Sequence, residues 1–238
     1  MGKIVLDTTK LVKSYSNGEK KLNVLTNLTL KVKSGEIITI MGQSGAGKTT
    51  LTKKLEKNNT NFVISISHTT RKARPGEVNG KDYYFVNEQE FNSLVENNNF
   101  YEFAKIFGNY YGTLKKPVIK HLSEGKDVLF DIDWQGTQQL KKISNLSLVT
   151  FFIVPPNIEV LKKRLLNRHK GQESLIKPRM MKFHEELSHW KEYDYVVVND
   201  DLEICYTKIL KIITNTKNGI NEKQDLSVIE KKVKELFS

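Results

Sequence analysis

The residues with the clearest chemical potential form one short glycine-rich stretch. Residues 42–49 read Gly-Gln-Ser-Gly-Ala-Gly-Lys-Thr and directly follow an apolar run at 37–41. A strand leading into such a turn is the context in which a G-x-x-x-x-G-K-T sequence binds phosphate. Its backbone N–H groups converge on one anion, and the N-terminus of the following helix adds a partial positive charge. The stretch predicts a site for a nucleoside triphosphate.

Two side chains of this stretch have specific expected roles. Lys48 is expected to reach the β- and γ-phosphates, and the Thr49 hydroxyl to ligate Mg²⁺. Asp131 ends another apolar run and is expected to join the metal site through a water molecule, with a strand-end cap as its alternative role. The predicted ATP-binding residues are Gly42, Gln43, Ser44, Gly45, Ala46, Gly47, Lys48, Thr49 and Thr50.

A second anion site is indicated further along the chain. Arg71 and Arg74 stand three residues apart beside the hydroxyl side chains of Thr69 and Thr70. One guanidinium group can bind two phosphate oxygens at once. Arginines in solvated loops are common, however, so this pattern alone is weak evidence for a site. Further specific motifs follow it: Phe-Tyr-Glu-Phe at 100–103, Gly-Asn-Tyr-Tyr-Gly-Thr at 108–113 and Asp-Ile-Asp-Trp-Gln-Gly at 131–136.

The order and spacing of these motifs, from residue 37 to about residue 212, resemble guanylate kinase, the family that phosphorylates GMP with ATP. The resemblance implies an α/β P-loop kinase fold. That fold has three layers, α/β/α, around a central parallel sheet, together with an inserted GMP-binding subdomain and a lid. It also implies Mg²⁺ as the cofactor that accompanies ATP.

The resemblance assigns two groups of acceptor residues. Those expected to bind GMP are Ser67, Arg71, Arg74, Tyr83, Glu102, Tyr111, Thr113 and Asp133. The two arginines and two tyrosines fall at phosphate-binding positions, and the other four at positions that bind guanine. A carboxylate can accept hydrogen bonds from two guanine N–H groups that adenine lacks, so the site should discriminate between the bases. Tyr84 and Tyr110 are expected to pack rather than bind.

The resemblance also implies a catalytic set of cations, namely Lys48, Arg164, Arg168 and Arg179. Cations near the transferring phosphoryl group stabilise its spread negative charge in the transition state. The sequence departs from the family here, because His169 follows Arg168 and Pro178 precedes Arg179. Proline is tolerated only in a first helical turn, so Arg179 lies either near a helix start or on a different face.

The elements that must position these residues read as a parallel α/β sheet. Runs at 62–65, 128–130, 148–154 and 195–198 are almost continuously apolar, as in strands covered on both faces. The predicted domains are an N-terminal β extension at 1–35 and a kinase-like domain at 36–214, which contains a GMP-binding insert at 70–115 and a lid at 164–180. A linker and C-terminal amphipathic helix occupy 215–238, and that helix packs either on the core or on a partner in a homodimer.

The N-terminal extension supplies an alternative. Residues 1–36 resemble the opening of an ABC transporter nucleotide-binding domain, with Tyr15 at the position of the aromatic residue that stacks on adenine. The Leu-Ser-Gly-Gly-Gln signature of that family is absent, and Ile132 rather than glutamate follows Asp131, which disfavours an ABC-type ATPase. A non-catalytic guanylate kinase-like binding module is the other alternative, and the intact Lys48 and Thr49 disfavour it.

The composition indicates which classes of partner the protein is expected to bind. The net charge of +11 suits anionic substrates such as ATP and GMP. No basic stripe with interleaved aromatics stands out, so nucleic acid is not an expected partner. One cysteine, Cys205, fits a reducing compartment, and the absence of a signal peptide or a long apolar run predicts a cytoplasmic protein without a membrane partner.

Overall fold

The computed structural model describes residues 4–17, 20–33, 35–42, 45–144, 146–168, 176–220 and 223–237, with side chains described from residue 35 onward except that of Arg168. The strands are β1 Ile4–Asn17, β2 Lys20–Lys33, β3 Ile37–Gly42, β4 Phe62–Ile64, β5 His68–Thr69, β6 Tyr84–Phe85, β7 Phe100–Ile106, β8 Asn109–Leu114, β9 Asp127–Phe130, β10 Leu148–Val154 and β11 Tyr195–Val198. The helices are α1 Lys48–Asn58, α2 Glu88–Glu96, α3 Lys115–Ser123, α4 Trp134–Lys141, α5 Ile158–Arg168, α6 Ile176–Ser188, α7 Leu202–Lys217 and α8 Leu226–Phe237.

A parallel sheet of five strands forms the centre of the molecule. Its strand order is β11-β10-β3-β9-β4, and every neighbouring pair is parallel. All six residues of β3 are buried, as expected for the middle strand of a sheet that helices cover on both faces. The predicted α/β fold with a central parallel sheet is confirmed.

Alternate residues of β3 point to two separate layers of helices. Ile38 and Ile40 pack with α1 and α7 on one face. Met41 packs with α5, α6 and α8 on the other face, where Ile37 also contacts α3 and α4. This alternation follows from the two-residue period of a strand and produces the three-layer arrangement.

The insert contains a second sheet, with strand order β6-β5-β8-β7. Its β7–β8 hairpin is antiparallel and is attached to the central domain through α4. The Gln139 side chain accepts a hydrogen bond from the Phe103 backbone N–H at 3.1 Å and donates one to the Phe103 carbonyl at 2.7 Å. This pair of bonds fixes the hairpin against the helix that follows β9.

The N-terminal segment forms an antiparallel hairpin of β1 and β2, in which Tyr15 is paired with Leu22. Two strands are present, as the sequence indicated, but β1 continues to Asn17 and is longer than expected. The Tyr15 side chain lies outside the described residues. Its stacking on adenine, and packing of the hairpin against the core, remain predictions.

The two C-terminal helices, α7 and α8, pack on the core. α7 runs to Lys217, which forms an ion pair with the buried Asp127, so the predicted boundary at residue 214 falls inside this helix. Val233 and Leu236 of α8 are buried in the cluster that contains Met41. Of the two positions the sequence left open for α8, the structure has the one against the core. Among the described helices, none has the length and apolar character needed to cross a bilayer.

Two leucines of α8 provide a matched test of this packing. Leu236 is 0% exposed, whereas Leu226 is 62% exposed. We expect Leu236→Ala to lower the free energy of unfolding by about 2–3 kcal/mol through lost burial and a residual cavity. Leu226→Ala should change it by no more than about 0.5 kcal/mol. Urea denaturation measures both, and equal effects would contradict the packing of α8.

Candidate active site

Most of the predicted site residues line one cleft. Its volume is about 650 Å³, and it lies between the carboxyl edge of the central sheet and the insert. The predicted residues that line it are Gly45, Gly47, Lys48, Thr49, Thr50, Ser67, Arg71, Arg74, Tyr83, Glu102, Tyr111, Asp131, Asp133, Arg164 and Arg179. Gly42 and Ala46 are buried beneath it, and Thr113 lies behind Ser67. Gln43, Ser44 and the Arg168 side chain lie outside the described residues.

The described part of the phosphate loop leaves the N-terminus of α1 available to an anion. Gly47, the N-cap of α1, has a φ of 97° and makes no side-chain cap, and the first turn carries no acidic residue. Asn199, after β11, donates to the Ala46 carbonyl at 2.6 Å. A Cβ atom at Gly47 would lie 2.2 Å from the Asn199 amide nitrogen, so only glycine fits there. The backbone N–H groups can therefore bind phosphate.

The ends of β3 and β9 meet at a potential cation site. These strands pair in parallel, and Asp131 follows β9 directly. The Thr49 hydroxyl donates to Asp131 Oδ2 at 2.7 Å, and the Lys48 ammonium lies 3.6 Å from Asp131 Oδ1. These oxygens have the chemistry that Mg²⁺ prefers. The cap of α4 is Asp133 and not Asp131.

No group of three or more histidine, cysteine, aspartate or glutamate side chains suited to a metal occurs in the described part of the chain. A cation beside Thr49 and Asp131 would therefore take its remaining ligands from substrate phosphates and water. Phosphate-loop kinases hold Mg²⁺ in this way. The donor set fits a nucleotide-bound cation.

The loop that carries Arg71 and Arg74 is held in shape by a residue that sequence reasoning missed. Glu77 accepts two hydrogen bonds from the Arg71 guanidinium at 2.9 Å each, and a third from the Arg74 backbone N–H at 2.7 Å. Burial opposes the charge of Arg71, but the hydrogen bonds and electrostatic attraction of Glu77 and Tyr111 together outweigh it and raise the pKa of Arg71. An acid three residues after the second arginine was the available signal. Glu77 holds the loop in shape and offsets one of its two charges.

Two phenol rings stand beside this loop. The Tyr83 ring lies 5.3 Å from the Arg71 guanidinium carbon and makes an edge contact with Tyr111 at 6.1 Å. Burial and the nearby Asp131 carboxylate raise the pKa of Tyr83 to about 12. Its hydroxyl therefore stays protonated and can donate to an anion. Tyr110 stacks on Phe91 at 5.4 Å, as expected of a packing residue.

A buried polar cluster forms the inner end of the cleft. Glu102 is 3% exposed, lies opposite Thr113 in the β7–β8 ladder and approaches α4 closely. A Cβ atom at Gly136 would lie 2.4 Å from Glu102 Oε2. Ser67 and Thr113 share a hydrogen bond of 3.3 Å. Asp133 Oδ1 caps α4, whereas its buried Oδ2 has no hydrogen-bond partner among the described residues. Such an oxygen requires a ligand or water.

The surroundings of Glu102 disfavour the ionised form of its carboxyl group. Desolvation and the neighbouring Asp133 carboxylate raise the pKa of Glu102 to about 7. A strongly shifted carboxyl group in a cleft marks a functional site. Two hydrogen-bond donors of a ligand would favour its charged form.

Two of the three lid arginines can be placed. Arg164 donates to the Asn199 carbonyl at 3.2 Å, and its buried Nη1 atom has no partner within the described residues. Pro178 lies in the first turn of α6, so Arg179 is near a helix start and still lines the cleft. Of the two positions that the sequence allowed for Arg179, this is the first.

Sequence reasoning also missed Glu186 and Asn199. Glu186 is a buried residue of α6 that lines the cleft, and burial raises its pKa. It lies in an ordinary amphipathic helix pattern, so no local signal distinguished it. Asn199 follows an apolar strand at the same edge as the phosphate loop, and that position was an available signal.

A phosphate loop at the carboxyl edge of a parallel sheet faces a second cation-lined site and a buried polar cluster across one cleft. This arrangement defines a phosphate-loop kinase. A family model described as guanylate kinase matches residues 34–216 of the chain. The chain belongs to the guanylate kinase family.

Individual relatives agree with this assignment. The chain is 51% identical over 179 residues to a guanylate kinase of Rickettsia prowazekii, covering 75% of this chain and 90% of the relative. It is 46% identical over 179 residues to one of Maricaulis maris, covering 75% and 82%. A crystal structure of guanylate kinase from Anaplasma phagocytophilum matches with a TM-score of 0.64 and 35% identity, over 78% of this chain and 87% of that one.

The raised pKa of Glu102 predicts that Glu102→Gln stabilises the protein, by an amount that depends on pH. The native state binds the Glu102 proton more tightly than the unfolded state, so this contribution to stability is present below about pH 4.5 and lost as the pH rises through about 7. Glutamine stays neutral throughout. We expect Glu102→Gln to be more stable than the wild type at pH 8, by up to about 3 kcal/mol, with the difference much smaller at pH 5.

Chemical denaturation of both proteins at pH 5 and pH 8 measures this difference. Glu96→Gln, which alters an exposed glutamate at the end of α2, is the control and should show no such pH dependence. A Glu102→Gln effect of the same size at both pH values would contradict the raised pKa.

Proposed function

We propose that the protein transfers the γ-phosphoryl group of ATP to GMP in this cleft, giving ADP and GDP. One observation carries the proposal. The Thr49–Asp131 pair beside the phosphate loop and the Arg71–Arg74 loop with the buried Glu102 line the same cleft. A binding module for a single nucleotide needs only one of these two sites. An ATPase of the ABC class has no need of the second.

The donor is assigned to the side formed by the central sheet. The N-terminus of α1 and Lys48 would bind the β- and γ-phosphates of ATP. When bound, Mg²⁺ neutralises charge on these phosphates; Thr49 would hold it directly and Asp131 through a water molecule. Asn199 supports this side from below through its bond to Ala46.

The acceptor is assigned to the insert. Arg71, Arg74, Tyr83 and Tyr111 would bind the GMP phosphate, and Ser67, Glu102, Thr113 and Asp133 the guanine base. Asp133 Oδ2, which has no hydrogen-bond partner in the part of the chain that the structure describes, and the buried Glu102 carboxylate supply acceptors of the kind that guanine N–H groups need. Adenine would leave one of these buried acceptors unpaired, so the base is selected by the energetic penalty of a poor match.

The chemistry proposed for these residues is positioning and charge neutralisation. The GMP phosphate is already anionic at neutral pH, so the step needs no strong general base. Lys48, Arg164, Arg168 and Arg179 would stabilise the charge that spreads over the transferring group. The backbone carbonyl of Asn199 accepts a hydrogen bond from the Arg164 guanidinium and holds it at the cleft wall.

The remaining partners follow from the same proposal. ATP and GMP are the small-molecule partners, and no role for nucleic acid or membrane is proposed. Burial raises the pKa of the only cysteine, Cys205, to about 12, which keeps it an unreactive thiol and agrees with a proposed cytoplasmic location. The proposal includes no role for a homodimer in the cleft.

Removal of Lys48 tests the donor side. Lys48→Ala should lower turnover by two or more orders of magnitude, which corresponds to about 3 kcal/mol or more of lost transition-state stabilisation. Lys57→Ala, an exposed lysine on the same helix, is the matched control and should leave turnover unchanged. The assay is ADP formation from ATP with GMP, AMP, UMP or no acceptor. Normal turnover of Lys48→Ala would refute the donor assignment.

Glu102 should determine the choice of base, whereas Arg74 should contribute to phosphate binding. Glu102→Gln should raise KM for GMP and reduce the preference for GMP over AMP, because an amide cannot accept from two donors as a carboxylate does. Arg74→Ala should raise KM for GMP without changing the preference between the two bases. Lys72→Ala removes an exposed charge of the same loop and is the control. Loss of base preference in Arg74→Ala would overturn the division.

A further inference from the structure

Phe107 occupies an unfavourable backbone position at the tip of the insert. The turn between β7 and β8 consists of Phe107 and Gly108, with φ values of 48° and 80°. Asparagine and glycine are favoured in turns with two positive φ angles, whereas a bulky aromatic residue is strained there. The ring is also 52% exposed, so burial in a core does not offset the strain.

The Phe107 ring contacts two cationic side chains of α6. The guanidinium carbon of Arg179 lies 5.2 Å from the centre of the Phe107 ring, and the ammonium nitrogen of Lys182 lies 5.1 Å from it. Both distances are within the range of about 6 Å for cation–π attraction. One ring on the insert therefore contacts two cations that lie three residues apart on a helix of the central domain.

The far end of α6 is firmly anchored. Phe183 and Leu187 are buried in the core cluster that contains Met41. The Lys182 ammonium lies 3.7 Å from a carboxylate oxygen of the buried Glu186. Packing and this ion pair fix the helix and Lys182, whereas Arg179 lies at the helix start. Phe107, Arg179 and Glu186 all line the cleft.

We propose that Phe107 is a positioning residue whose ring holds the Arg179 side chain at the cleft. The inference rests on the proposed function, because Arg179 has a catalytic role only if a phosphoryl group is transferred. An arginine side chain can adopt many rotamers, and an aromatic face that favours one orientation raises the fraction of enzyme in which the cation is in place. The tip of the acceptor-binding insert thus takes part in placing a cation for the transfer step.

This role predicts an effect on kcat and not on KM. Charge on the transferring group changes between ground state and transition state, so a misplaced Arg179 weakens binding of the transition state selectively. Phe107 belongs to neither the phosphate-binding loop nor the buried base cluster. Loss of its ring should therefore leave the affinity for GMP nearly unchanged.

Phe107→Asn is the informative variant, because it creates an Asn-Gly turn and removes the ring without a backbone penalty. We expect an unchanged or higher melting temperature, KM values for ATP and GMP within about twofold of the wild type, and kcat lower by about fivefold, the effect of a lost cation–π contact at a partly exposed ring. Phe107→Tyr keeps the aromatic face and should keep kcat within about twofold. Phe103→Ala alters another partly exposed phenylalanine of the same hairpin and should leave kcat unchanged.

A double-mutant cycle with Arg179→Ala identifies the residue through which Phe107 acts. In the Arg179→Ala background, Phe107→Asn should lower kcat by less than about twofold, because the cation that the ring positions is gone. An equal loss in both backgrounds, a normal kcat in Phe107→Asn, or a raised KM for GMP with normal kcat would each overturn the inference. Wild-type protein without GMP-dependent ADP formation would instead refute the proposed function, and the inference with it.

Discussion

Parallel pairing of β3 with β9 is the constraint on which the active site depends. Parallel strands end at the same edge of a sheet, with neighbours about 4.8 Å apart. Residues that follow β3 and β9 therefore come together although they are far apart in sequence, and the Thr49 hydroxyl reaches the Asp131 carboxylate. An antiparallel pair would place these two groups at opposite edges. The same geometry brings Asn199, after β11, beneath the phosphate loop.

In the buried cluster of Glu102 and Asp133, the proposed selection of the base opposes stability. Glu102 is buried beside Asp133, where desolvation and a like charge both disfavour its ionised form. A neutral residue would be more stable in the free protein, but it would lose the acceptor geometry that the proposed selection of guanine over adenine requires. The Gly136 backbone makes this crowding possible, because any side chain at that position would meet the carboxylate. The cluster is preorganised for a ligand at the expense of the unliganded fold.

The β7–β8 hairpin is connected to the central domain on two sides. Gln139 of α4 binds the backbone of Phe103, and the cations of α6 contact the Phe107 ring. The first attachment is a pair of directional hydrogen bonds and fixes the hairpin in register with α4. The second uses a non-directional attraction between charge and an aromatic face, which tolerates small shifts. One element thereby contacts two helices of the central domain, α4 and α6.

The sequence by itself determined the α/β class, the parallel strands, the phosphate loop and the position of the acceptor motifs. These depend on local periodicity and on backbone geometry encoded within a few residues, such as glycine before Lys48. Only the tertiary structure decided that Glu77 pairs with Arg71, that α8 packs on the core and that Phe107 meets Arg179. The last two contacts join segments that are distant along the chain, and the first depends on how a loop folds back on itself. Residue type does not encode such approaches, because they are set by the packing of whole elements.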